Sequence, residues 1–381
     1  MTSTRIPFNR VGITGGELDL LAQAVASGYL AGDGTMAREC ERLLHAVTGS
    51  ARVLLTPSCT SALEIAATLA GIKPGDEVVL PSFTFVSTAN AFVLRGARPV
   101  FADVLPATLG LDPASVEACV TPRTRAVAVV HYAGVACEMD ELVEICGGAE
   151  AHLIEDNAHG LFGTYRGRPL GSLGALATLS FHETKNISCG EGGALLVNDA
   201  ALIERAEIIR EKGTDRSKFF RGLVDKYTWV DIGSSHLPSE LQAAFLLAQL
   251  RASTEIQADR MRIWNRYRSA LAGWARRVGA VLPTVPADRQ HPAHLFYVLM
   301  PDVDARDRMI RWLGEHDIQS VFHYVPLHLS PMGQSFGGRP GMLPVTESIS
   351  ERLLRLPLFR GLTDSEQDRV IDSVLAFPSA A

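Results

Sequence analysis

The sequence is short of several things, and each absence narrows the choice. Six cysteines stand at 40, 59, 119, 137, 146 and 189, and no two share a C-x-x-C spacing. That argues against a zinc ribbon and a redox pair, and leaves most of them as small buried hydrophobes. No G-x-G-x-x-G follows a strand-like run, which weakens a nicotinamide reading, and no G-x-x-x-x-G-K-[ST] loop is present. Bulk charge is missing too. The formal net charge is −6, so nothing global draws the chain to nucleic acid or anionic lipid, and any bound anion needs a local site. The opening "MTSTRIPFNRVG" has no apolar h-region, and no uninterrupted apolar run is long enough to span a bilayer. The expectation is a reduced cytoplasmic protein with no metal site, no nucleic-acid partner and no membrane partner.

What is present suits a compact fold. Hydrophobic residues make up 47% and charged residues 20%, and 381 residues exceed what one core usually organises. Short β-branched runs alternate with helical patterns through roughly the first 250 residues. "ARVLLTPS" (51–58) reads as a strand and "TSALEIAATLAG" as the helix after it, closed by Gly71. "DEVVLPSFTFV" (76–86), "ARPVFADV" (97–104), "TRAVAVVHYAG" (124–134) and "AHLIEDNAHG" (151–160) follow as further strands. This alternation predicts an α/β fold, an open and largely parallel sheet with ligands at the carboxyl ends of its strands. After about residue 247 a long Arg-rich helical stretch leads to "AHLFYVLM", a helix around 304–316, the strand "QSVFHYV" and a last helix. The expected division is a large α/β domain over 1–247 and a smaller α+β domain over 248–381.

Several side chains could carry chemistry. Asp156 ends an apolar strand, where it serves either as a helix cap or as a carboxylate partner for a protonated heterocycle. His159, three residues on, could pack against a ring, though a lone histidine there is more often structural. In "TPSCTSALE" a strand runs through Ser58, Cys59, Thr60 and Ser61 into a helix. Free N–H groups and hydroxyls at such a start make a phosphate site, while simple capping would use the same residues. "PSFTFV" places Phe83 and Phe85 on one face; both suit a core, and one could stack on a flat cofactor. Lys185, in "SFHETKN", lies between an apolar stretch and the "GEGG" cluster. It either snorkels to solvent or is a desolvated, nucleophilic lysine. Taken together, a strand-end acid, a phosphate-cradling helix start, an aromatic and this lysine are what pyridoxal phosphate (PLP) needs. The basic segment "EKGTDRSKFFRGLVDKYTW" (211–229) offers Arg216, Lys218, Arg221 and Lys226 to a pyrophosphate, or else is a solvated loop.

These residues, in this order, resemble the DegT/StrS-type sugar-nucleotide aminotransferases, which have the PLP-dependent transferase fold type I. Stretches that carry the resemblance include "LLTPSCT", "PSFTFVSTANAFVLRGA", "VHYAGVACEMD", "SFHETKN", "DKYTWVDIGSS", "VFHY" and "SERLLRLPLF", over nearly the whole chain. The likeness is greatest to members that aminate C4 of dTDP-4-oxo-6-deoxy-D-glucose with L-glutamate as donor. It implies Lys185 as the Schiff-base lysine, Asp156 as the partner of the pyridine nitrogen and Ser180 as a phosphate ligand. Cys59 and Thr60 fall in the phosphate turn, Phe85 at the stacking position and His159 against the cofactor. The family builds its sites at a homodimer interface. Ser235 stands where many members send an asparagine to the partner's phosphate, and 211–229 would approach the nucleotide, that of the neighbouring subunit. His323, Tyr324 and His328 would face the sugar. The alternatives are a 3-aminotransferase of the same family and a non-catalytic protein that binds PLP or a nucleotide sugar.

Overall fold

The computed structural model describes residues 5–378. From the amino end, α1 (Glu17–Ala26) and α2 (Thr35–Thr48) lead into β1 (Arg52–Thr56) and α3 (Cys59–Leu69). β2 (Glu77–Pro81), α4 (Val86–Val93), β3 (Arg98–Ala102), α5 (Pro113–Cys119), β4 (Thr124–Val130), α6 (Met139–Gly148) and β5 (His152–Asp156) continue the alternation. A small hairpin, β6 (Thr164–Tyr165) and β7 (Arg168–Pro169), precedes β8 (Leu176–Ser180) and β9 (Gly193–Val197). Next come α7 (Ile203–Arg210), α8 (Arg216–Phe220), α9 (Glu240–Arg251) and α10 (Ser253–Val278). The remainder is β10 (Arg289–Gln290), β11 (Phe296–Leu299), α11 (Val303–Glu315), β12 (Val321–Phe322), α12 (Pro331–Ser335), α13 (Pro344–Arg352), β13 (Leu353–Leu356) and α14 (Asp364–Leu375).

Seven strands form the main sheet in the order β1-β9-β8-β5-β4-β2-β3. All run parallel except β9, which is antiparallel to both neighbours. β2 (EVVLP) is buried along its whole length and β9 (GALLV) likewise, as strands covered on both faces must be. The parallel strands therefore end together, at Thr56, Pro81, Ala102, Val130, Asp156 and Ser180, and β9 begins beside them at Gly193.

The strand expected over 76–86 stops at Pro81. Phe83 turns into the core at 1% exposure, while Phe85 precedes α4 and is 58% exposed. Their shared face required an alternation that the chain abandons at the sheet edge, where Thr84 Oγ1 bonds Thr88 Oγ1 at 2.8 Å instead.

A second sheet, β11-β13-β12, is antiparallel throughout and packs with α10, α11 and α14 around Trp274, Tyr267 and Phe359. The strand expected over "QSVFHYV" is only β12, and the central strand β13 was not foreseen. Its sequence, LLRL, follows α13 without a turn residue and carries an arginine in an apolar run. Ile6 joins this core: its N–H donates to Asp317 O at 2.8 Å and its carbonyl accepts from Gln319 N at 2.9 Å. No helix among the described residues is long and apolar enough to cross a membrane.

Candidate active site

The turns that leave the carboxyl edge of the main sheet enclose, with the second sheet, a cavity of about 590 Å³. β1 delivers the first wall. Ser58 caps α3, its Oγ accepting from Ser61 N at 3.1 Å, and the N–H groups of Cys59 and Thr60 in the first turn have no intrahelical partner. Thr60 Oγ1 lies 2.8 Å from Ser87 Oγ, joining two hydroxyls on the same wall. β9 approaches this turn so closely that a Cβ on Gly193 would sit 2.4 Å from Cys59 N, which is why the "GEGG" cluster ends in glycine there. Ser180 closes β8, and the turn after it carries Lys185 back into the cavity.

β5 delivers Asp156, which is buried. Its Oδ2 accepts from Thr88 Oγ1 at 2.7 Å and its Oδ1 from Ala158 N at 3.2 Å. Burial pushes its pKa up, against the pull of the Thr88 hydroxyl. Burial also pushes the Lys185 ammonium down to about 8, although Cys59 and Asp156 favour its charge. The pair thus faces the cavity as one carboxylate with spare acceptor capacity and one ammonium that gives up its proton more readily than an ordinary lysine. His159 is buried beside them, stacked on His294 with ring centroids 4.2 Å apart, and its Nδ1 has no hydrogen-bond partner among the described residues. Burial holds both imidazoles well below the ordinary histidine range. His323 bonds Tyr132 Oη at 3.0 Å, and Tyr324 packs on Phe83.

Comparison with known proteins agrees with this geometry. The model of the DegT/DnrJ/EryC1/StrS aminotransferase family matches residues 13–375. The chain belongs to that family. GDP-perosamine synthase from Caulobacter vibrioides is 33% identical over 94% of each chain. Among solved structures, S. venezuelae DesV, in complex with a ketimine intermediate, superposes with a TM-score of 0.90 at 31% identity over 100% of both chains. The PLP form of Spr1654 from Streptococcus pneumoniae has a TM-score of 0.90 at 25% identity over 98% of each chain.

Nine of the candidate residues of this family member line the one cavity: Cys59, Thr60, Phe85, Asp156, His159, Ser180, Lys185, His323 and Tyr324. His328 does not. It is fully buried, with Nδ1 2.6 Å from Ser82 Oγ and Nε2 3.0 Å from Glu347, an anchor between the end of β2 and α13. Ser235 is exposed, on a bridge to Glu211, and also stands away from the cavity. The basic segment is remote as well. Arg216 pairs with Glu211 at 3.5 Å, Lys218 with Glu204 at 2.7 Å and Arg221 with Glu207 at 2.9 Å, and Lys226 is exposed.

Sequence reasoning missed Thr88, His294 and Arg355. Arg355, from β13, is the one guanidinium lining the cavity among the described residues. It sits over the Phe8 ring at 4.6 Å, and its Nε has no hydrogen-bond partner among the described residues. An arginine inside "LLRLPLF" was the available signal. Thr88 and His294 gave none, because each matters only through a residue far away in sequence.

Proposed function

We propose that the chain is a PLP-dependent aminotransferase that moves the amino group of L-glutamate to C4 of dTDP-4-oxo-6-deoxy-D-glucose. The products are dTDP-4-amino-4,6-dideoxy-D-hexose and 2-oxoglutarate. The observation that carries the reading is the buried Asp156 and the half-buried Lys185 facing one cavity, with the N–H groups of Cys59 and Thr60 on its wall. The site chemistry fits the cofactor: an underused buried carboxylate, an unpartnered imidazole nitrogen and an anion-ready helix start are otherwise costly to leave.

Asp156 would hold the pyridine N–H, and Cys59, Thr60 and Ser180 the phosphate. Phe85 and His159 would bracket the ring. Bound there, the cofactor supplies the electron sink for the carbon that loses its proton. Lys185 Nζ, its pKa lowered to about 8, would hold the cofactor at rest. It would then take the α-proton of L-glutamate and, in the second half-reaction, give a proton to C4 of the sugar. Arg355 would pair with a carboxylate of the donor, its planar fork matching that group. His323 and Tyr324 would border the sugar, with His328 behind them as a support.

The nucleotide half of the site needs a second copy. Phe220, Leu223, Tyr227, Trp229 and Val230 are exposed, as are Phe85, Val86 and Leu94. In a homodimer each copy's segment 211–229, with Ser235 beside it, would serve the other's cavity. Within each copy we place the division between a large and a small domain near residue 248.

Incubation with PLP, L-glutamate and dTDP-4-oxo-6-deoxy-D-glucose, followed by proton NMR, tests the reading. Large couplings on both sides of H4 mean an equatorial amine and the gluco product; small ones mean the galacto product. No amine at C4 would sink the substrate assignment. Likeness to GDP-perosamine synthase favours one second reading, a GDP-linked oxo sugar, which the same assay answers with that acceptor.

A further inference from the structure

At the opposite edge of the main sheet, where the parallel strands begin, lies a second cavity of about 490 Å³. It is lined by Lys73 from the turn before β2, Arg95 after α4, Arg125 in β4, His152 at the start of β5 and Arg205 in α7. One carboxylate, Asp76, shares the lining, and its Oδ2 already accepts from Lys73 N at 2.8 Å to close the turn. Arg205 is held by Asp231 at 2.8 Å. Lys73, Arg95 and Arg125 form no ion pair among the described residues. Neighbouring Arg123, by contrast, pairs with Glu77 at 2.6 Å. The charge of Arg125 reaches His152, whose pKa is pushed down first by burial and then by that guanidinium.

Four cations converge on this hollow in a chain of net charge −6, drawn from four separate segments. Lys73, Arg95 and Arg125 are exposed around this concave space, and a multiply charged anion seated among them relieves the repulsion of their like charges. We propose that this cavity binds a diphosphate, free or as part of a nucleotide, at a site separate from the active site. β5 spans the two: His152 opens it at this cavity and Asp156 closes it at the other, roughly 13 Å away for a strand of this length.

The test is calorimetric titration of the PLP-loaded full chain with inorganic pyrophosphate, and in a second arm with ADP, at low ionic strength. Wild type and the R95A/R125A and R216A/R221A variants are compared, with thermal melting to check folding. The expected result is a site, distinct from any binding at the proposed nucleotide subsite, that R95A/R125A weakens on the order of 100-fold and R216A/R221A leaves within about 3-fold of wild type. Affinity falls with added salt. Equal affinity for both probes means that the diphosphate alone is read; tighter ADP means that the nucleoside also makes contacts. Absence of binding to wild type, or loss in R216A/R221A but not in R95A/R125A, overturns the proposal. Turnover by R95A/R125A stays at the wild-type rate, so the site and the proposed reaction stand or fall separately.

Discussion

The carboxyl edge of the main sheet and the segment 211–229 are both polar, yet they are built on opposite principles. At the sheet edge, Asp156 is buried and Lys185 half-buried, and their neighbours come from strands and helices of the same chain. In 211–229, Arg216, Lys218 and Arg221 neutralise Glu211, Glu204 and Glu207 of their own chain, and the aromatic residues between them face solvent. One region is finished by a single chain. The other has charge and apolar surface in surplus, as a surface made to meet another molecule does. The proposed cofactor half of the site can be read in one copy, and the proposed nucleotide half would belong to an assembly.

The strongest way to break this contrast is at its rigid pole. Lys185→Ala should lower turnover by at least about 10⁴-fold, and borohydride reduction of the wild type should leave the cofactor's mass on the Lys185 peptide. Cofactor mass on any other peptide would overturn the assignment. The second blow falls on the other pole. R216A/R221A and K185A should each be nearly inactive alone, while a mixture allowed to exchange subunits should recover about a quarter of wild-type activity, since half its dimers hold one intact site. No recovery would place both halves of the site in the same copy.

The pH dependence of stability sharpens the comparison further. In the cofactor-free chain the Lys185 pKa is lowered to about 8, against roughly 10.4 when unfolded. Between these values the unfolded state binds the extra proton, so stability rises with pH across this window, by up to about 3 kcal/mol. Urea unfolding at pH 7.5 and 10 should show that rise, and K185M should flatten it; an unchanged slope in K185M would mean that Lys185 is solvated. The smallest effect is local. Ser58→Ala removes the cap of α3 and should cost about 1 kcal/mol in the same unfolding assay, leaving subunit exchange unaffected. A loss of dimer in that variant would tie the phosphate turn to the interface.

Legibility in the sequence followed locality. The parallel sheet, the phosphate turn, Asp156 and Lys185 could be named because strand runs, caps and the "GEGG" cluster are signals spanning a few residues. Phe83 and Phe85 were put on one face because periodicity says nothing about where a strand stops. His328 stands close in sequence to His323 and Tyr324, which line the cavity, but its bonds to Ser82 and Glu347 are set by tertiary packing. Arg355 and β13 stayed hidden for a related reason, since a four-residue strand fused to a helix leaves no boundary to read. The antiparallel direction of β9 was equally invisible, as pairing partners determine it.

The pairing of Ile6 with the backbone around Ile318 has a consequence in time. On the ribosome the first segment appears long before its partner, and at roughly 5–20 residues per second the wait lasts on the order of 15 to 60 s. Asn9, whose Nδ2 donates to Glu183 O at 3.2 Å, and Phe8 beneath Arg355 wait with it. The main sheet can form while translation continues, but the rim of the cavity over the Lys185 turn closes only near the end of synthesis. The cavity that would take the cofactor is therefore complete only late in the life of the nascent chain.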